Sequence, residues 1–256
     1  MDSPQVSIYM ANQIPLITTL VSAIFTVLLS WQYAHRRKRH QIIWTVALAL
    51  YSLTAFMEYL ANPDLLGPSL LLIKFYYSGT GPMVGLLGAG VLYLLASKRL
   101  SDIYLALVVA LSVIVVASTV AAQIPSLEIE SAFNVGLPQG FRTVVMEFPM
   151  TARIPTIILN ITGAVFLIGG SFFSYMRDRS RAYNIPLFFG GILPSLGGAS
   201  LGFFNNPDIF FEFELAGTIL LFLGFILSIR YLTRLGVRSF EQKMPHNDRR
   251  LNTHDS

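Results

Sequence analysis

Two oppositely charged residues sit in segments that otherwise read as lipid-embedded helix: Glu58 in "AFMEYL" (55–60) and Lys74 in "LLIKFYY" (71–77). An ionisable group at such a depth is costly unless it is paired or serves as a proton, ion or substrate site. Arg153, Glu212 and Glu214 fall with them within about two turns of the outer ends of their helices, so the five define a candidate outer charged site. Tyr59, Tyr76 and Tyr77 lie beside them, as aromatic residues do at a membrane interface. The short connection "NPDLLGPS" (62–69) makes the helices carrying Glu58 and Lys74 antiparallel neighbours. At ~1.5 Å per residue, both side chains lie roughly 5–8 Å below the outer boundary. This matched depth predicts a Glu58–Lys74 pair, direct or through water, which serves either as a structural brace or as a proton or substrate site. Were the two to face different sides of the bundle, Lys74 would turn to Glu212 or Glu214.

A second group of residues points to the middle of the bilayer. "GTGPMVGLLGAG" (79–90) and "FGGILPSLGGASLG" (189–202) each place a proline among glycines spaced four apart. Small residues let helix backbones approach closely in lipid, and proline frees a carbonyl that a neighbour, a water or a ligand must satisfy. The pattern predicts a bend at Pro82 and Pro194, read either as close packing with a static kink or as a midplane cavity between these two helices, capable of rocking. Thr80, Asn160, Thr162, Ser195 and Ser200 are the polar groups placed to line it.

Other chemistries lack their residues. The chain has no Cys, so disulfides, thiolate metal sites and cysteine nucleophiles are excluded. His35, His40, His246 and His254 all fall in hydrophilic segments, which argues against a membrane haem or metal site. No HExxH, GxSxG, paired intramembrane aspartates or phosphate loop occurs, and the expectation is a non-enzyme.

The elements that position these residues follow from composition. The 256 residues are 54% hydrophobic and 12% charged, against about 25% charged in ordinary soluble domains. With apolar runs near twenty residues, this places the chain in a bilayer. "MDSPQVSIYMANQ" carries an acid and no Lys or Arg, so it reads as retained sequence and not as a signal peptide. Hydropathy predicts an all-α polytopic protein with seven spans, roughly 12–34, 41–61, 69–96, 102–122, 152–176, 183–204 and 210–232. Fifteen of the 18 Lys and Arg fall on one side, leaving Lys74, Arg142 and Arg153 for the other. The positive-inside rule then puts the N-terminus outside and the C-terminus in the cytoplasm, with the cell membrane as the location. That topology also explains "HRRKRH" (35–40) without nucleic acid, and "NIT" (160–162) is discounted as a glycan acceptor inside a span.

An internal repeat is visible in ordered matches. "QIPLITTL" (13–20) resembles "RIPTIILN" (153–160), "YLANPD" (59–64) matches "FFNNPD" (203–208), and "SKRL" (97–100) matches "LTRL" (232–235). One helix separates the triplets, so they share an orientation: a 3+1+3 parallel repeat about an axis along the membrane normal. The expected division is an outer segment 1–11, a first bundle 12–100, a linking helix 101–122, an outer loop 123–151, a second bundle 152–232 and a tail 233–256. The outer loop reads either as a lid over the charged mouth or as a plain connection.

This architecture resembles the SWEET and PQ-loop carriers and the microbial rhodopsins. Pro4-Gln5 and Pro138-Gln139 supply the PQ dipeptide twice, although outside the helices where that carrier family places it. Lys74, Pro82 and Pro194 are similar to rhodopsin positions, but "ELAGTILLFLGFILS" (214–228) has no lysine for a retinal Schiff base, so no retinal is expected. The reading is a carrier or channel for a small solute or ion. A ligand-sensing receptor subunit, or a non-catalytic subunit of a membrane complex, is the alternative. The expected partners are the lipid bilayer, a solute or ion, and copies of the chain or other membrane subunits.

Overall fold

The structure is a computed structural model that describes residues 4–133, 137–203 and 208–243. The elements are α1 (Pro4–Arg36), α2 (Arg39–Leu60), α3 (Leu70–Leu95), α4 (Lys98–Ala121), α5 (Ser126–Phe133), α6 (Leu137–Glu147), α7 (Met150–Ala164), α8 (Gly170–Arg177), α9 (Asn184–Phe203) and α10 (Asp208–Lys243). A π-helical turn, Val165–Gly169, joins α7 to α8, so Met150–Arg177 runs as one long rod. No strand occurs among the described residues.

Six helical stretches are long and apolar enough to cross a membrane: Gln13–Arg36, Arg39–Leu60, Leu70–Leu95, Lys98–Ala121, Met150–Arg177 and Ile209–Ser228. The protein is therefore a multi-pass membrane protein by helix length and composition. The span expected at 183–204 falls on α9, whose Asn184–Gly197 stretch is apolar but shorter than the six. Helices α1 and α10 run beyond the predicted limits: α1 starts at Pro4 and α10 ends at Lys243. The tail from 244 onward lies outside the described residues.

Local chemistry sets the helix ends. Ser69 and Ser97 cap α3 and α4, accepting from the Leu72 and Leu100 amides at 3.4 Å. Arg37 takes a left-handed conformation (φ 47°) that stops α1 and allows Lys38 to begin the turn into α2. Within α1, Thr19, Ser22, Thr26 and Ser30 return their hydroxyls to carbonyls one turn earlier, which satisfies those donors without a partner helix.

Packing runs α1 to α2 to α3, then across to the α7–α8 rod, on to α9 and α10, and back to α1, closing a ring of six. Helix α4 stays outside this ring, against α3 and α7, and turns Ile103, Val113 and Val120 outward. The α3–α7 seam brings backbone against backbone. A Cβ on Gly88 would come within 2.7 Å of Gly163, and one on Gly163 within 2.2 Å of the Val84 carbonyl oxygen. No larger residue fits there without parting the helices.

The segment after α4, expected as an outer loop, carries the two helices α5 and α6. Helices α5 and α6 bury Ile129, Phe133, Phe141 and Val144, together with Phe148, against Ile73 and Tyr77 of α3 and Phe211 of α10. Tyr77 stacks on Phe148 at 4.7 Å, and Tyr76 meets Phe141 at 4.5 Å. One end of the ring is thus closed by an aromatic cap.

Candidate functional site

The structure separates the expected outer charges. Lys74 lies on the α4 side of α3 and donates to the Val120 carbonyl at 2.8 Å. It therefore does not pair with Glu58, and it does not turn to Glu212 or Glu214 either. The reason is angular: matched depth on adjacent helices says nothing about rotation, and Lys74 finds an unsatisfied carbonyl at the end of α4. Arg153 likewise turns away, donating to the Met146 carbonyl at 3.1 Å, while Glu212 is exposed.

Glu58 goes inward. It is 1% exposed, and Glu214 and Tyr76 are among the groups that its carboxyl faces. Glu214 comes from α10, so two acids from opposite halves of the chain meet inside the ring. Two ionised carboxylates brought together away from water repel each other. Each also keeps one oxygen, Oε2, buried without a hydrogen-bond partner. The ion pairs Arg39–Asp102 and Arg181–Asp178 lie at the opposite, basic end, so neither neutralises this pair.

A hydroxyl bridge continues from the acids toward that basic end. The Tyr51 hydroxyl is 3.2 Å from the Glu214 carbonyl and 2.7 Å from Oγ1 of Thr218, which in turn is 2.9 Å from the same carbonyl. One turn further along both helices, Leu48 and Leu221 form the floor of a cavity of about 310 Å³. By helix rise, the floor lies ~4.5 Å from the Tyr51–Thr218 bridge and ~10 Å from Glu214.

Every member of the ring lines this cavity, and α4 contributes nothing. Its depth is apolar, with Phe25, Leu87, Leu167 and Phe225 beside the two leucines. Buried polar groups follow: Gln32, Gln41, Ser171 and Ser174, with Asn184 donating to Ser174 Oγ at 3.1 Å. The rim carries Arg36, Lys38, His40 and Arg181. The π turn supplies Leu167 to the wall, an irregularity often placed at functional sites.

Thr80, Pro82, Asn160, Thr162, Pro194 and Ser195, predicted for the midplane, do not line that cavity. The small face of α3 is filled by α7, with Gly81 against Thr156 and Gly85 against Leu159. Pro82 is buried. Helix α9 packs instead on α10, where the Pro194 ring occupies the space at Gly217. Thr162 faces α4 through the Tyr104 hydroxyl at 3.0 Å. Thr80 and Ser195 bond within their own helices, and Asn160 holds its carbonyl oxygen buried without a partner. The side chain of Ser200 lies outside the described residues.

Sequence reasoning placed Glu58 and Glu214 in one group, yet missed both Tyr51 and the basic-end cavity. The signal for Tyr51 was available: it lies seven residues before Glu58, hence on the same helix face. No family model, no curated protein and no solved structure matches this chain.

Proposed function

We propose that this protein is a carrier that moves a small solute across the bilayer, held here open at its basic end and shut at the other. One observation carries the reading: a cavity lined by all six ring helices stops at an apolar floor, with the Tyr51–Thr218 bridge and then the Glu58–Glu214 pair beyond it along the axis. In this reading the basic end faces the cytoplasm, as the Lys and Arg asymmetry argues, and α9 is a seventh span. The α1–α10 and α3–α7 contacts exchange under the expected twofold between triplets, which favours the 3+1+3 repeat.

The mechanism follows from the order of groups along the axis. Solute enters the cavity and rests on Phe25, Leu48 and Leu221. The Glu58–Glu214 pair holds a proton, and its release toward the capped end leaves two like charges in a dry site. Their repulsion drives α2 and α10 apart at that end, loosening the Tyr76–Phe141 and Tyr77–Phe148 contacts of the cap. The glycine-tight α3–α7 seam serves as the rigid element against which α1, α2, α9 and α10 move.

The test is flux. Protein in vesicles loaded with the pH dye pyranine is offered sugars, amino acids, organic anions and amines in turn. A proton-coupled carrier changes the lumenal pH with one class only, and Glu58→Gln abolishes that change while the variant stays folded. A channel would pass current without saturation, and a sensor would bind without flux. Absence of flux with every class would remove the carrier reading.

A further inference from the structure

We infer that the basic-end cavity binds an organic anion with an apolar body, its charged head at the Arg36–Lys38 rim and its body against the leucine floor. The inference rests on the carrier reading for its consequence, since the bound anion would be the transported solute. Its own support is the polarity gradient of the cavity. No Asp or Glu is among the lining residues. Arg181 is held by Asp178 at 3.1 Å, and the neighbouring Arg39 by Asp102 at 3.0 Å, which leaves their charges matched. Arg36 and Lys38 line the mouth, are exposed, and form no ion pair among the described residues. The mouth is therefore net positive, and a cation would meet like charge on entry.

The interior selects the rest of the molecule. From Gln41 to Leu48 the wall passes from polar to apolar over ~10 Å of helix. A volume of about 310 Å³ suits a small organic molecule, not a bare inorganic ion, whose hydration the apolar floor could not replace. The buried amide and hydroxyl between rim and floor, Gln41 and Ser174, offer hydrogen bonds to a carboxylate or phosphate head. An acidic lipid presents the same head chemistry as a soluble anion; the assignment is to the soluble one, because the rim residues Arg36 and Lys38 stand at the exposed mouth.

Trp44 supplies the measurement. The chain has two tryptophans; Trp44 lines the cavity, whereas Trp31 is 65% exposed on α1. The Trp31→Phe variant in phosphatidylcholine nanodiscs is titrated with 4-bromobenzoate and, separately, with the cation 4-bromobenzylammonium, the bromine acting as quencher. Saturable quenching by the anion is expected, with none by the cation. The affinity should fall as salt is raised, and Arg36→Gln with Lys38→Gln should weaken it at least about tenfold without lowering the melting temperature. Equal quenching by both probes, or no change in the double variant and no salt dependence, overturns the inference. Nanodiscs containing phosphatidylglycerol separate the sources: anion quenching that persists supports a soluble anion, and competitive loss overturns it in favour of a lipid head. Anion binding without flux would sink the carrier and keep the site. Flux of a sugar or amine without anion quenching would do the reverse.

Discussion

The two ends of the ring solve the same problem in opposite ways. At the capped end, Phe133, Phe141, Phe148 and Tyr77 fill the space between helices and bury a carboxyl pair beneath them. At the basic end, no inserted segment among the described residues covers the helices, and the space between them stays open under a polar belt and a charged rim. The difference comes from connection length. Residues 122–149 are long enough to fold two extra helices over the bundle, whereas the α1–α2 turn is Arg37 and Lys38 alone. The comparison teaches that closure here depends on aromatic contact from outside the ring, not on the ring helices themselves.

The sharpest way to break this contrast is the cap itself. Phe148→Ala should cost about 3 kcal/mol, because a 2%-exposed ring stacked on Tyr77 leaves a cavity that cannot collapse. A melting shift in detergent measures it, and an effect as small as that of Leu187→Ala at the open end would mean the cap is not structural.

Accessibility comes next. Since the chain has no Cys, single cysteines report without background. A membrane-impermeant maleimide should modify Ser174→Cys in the cavity at least about tenfold faster than Val144→Cys on the buried face of the cap, because the thiol must be reached by water to ionise and react. Equal rates would erase the open-versus-shut distinction.

The carboxyl pair gives a smaller stability effect and a clear functional one. Glu58→Gln keeps the shape and brings its own donor to Glu214, so its stability should stay within about 1 kcal/mol of the parent. Glu58→Leu strands Glu214 and Tyr76 and should cost about 2 kcal/mol. Thermal melts of the two variants, compared at neutral pH, decide the order; the reverse order would show that the acids do not share a proton.

The smallest effect belongs to the α8–α9 turn. The Ser180 hydroxyl and amide both donate to Asp178, at 2.6 and 3.0 Å, and hold its carboxyl below the ordinary value of 3.8. A depressed folded value means that this stability is present above the unfolded value and lost as pH falls through the folded one. Ser180→Ala should therefore lower the melting temperature slightly near neutrality, and the gap from the parent should close as pH falls below ~4. Carboxyl carbon chemical shifts against pH would follow Asp178 directly, and an unmoved titration would rule out the Ser180 contact.

Membrane embedding, the positions of the six long apolar helices and the unequal distribution of Lys and Arg were legible in the chain because each depends on local composition and on a fixed rise per residue, whereas α5 and α6 lie where a loop was expected. Glu58 and Glu214 stood out for the same reason: an acid in an apolar run is conspicuous wherever it points. Which way it points was not legible. In water an amphipathic stripe tells the inner face of a helix from the outer, but lipid is as apolar as a protein core, so that stripe is faint here. Rotation was decided by tertiary packing: by Gly163 admitting Val84 and Gly88 at the α3–α7 seam, and by the Pro194 ring seated at Gly217. Those contacts turned Lys74 toward α4 and Glu58 toward Glu214, and left among the ring helices a space that no local pattern could have announced.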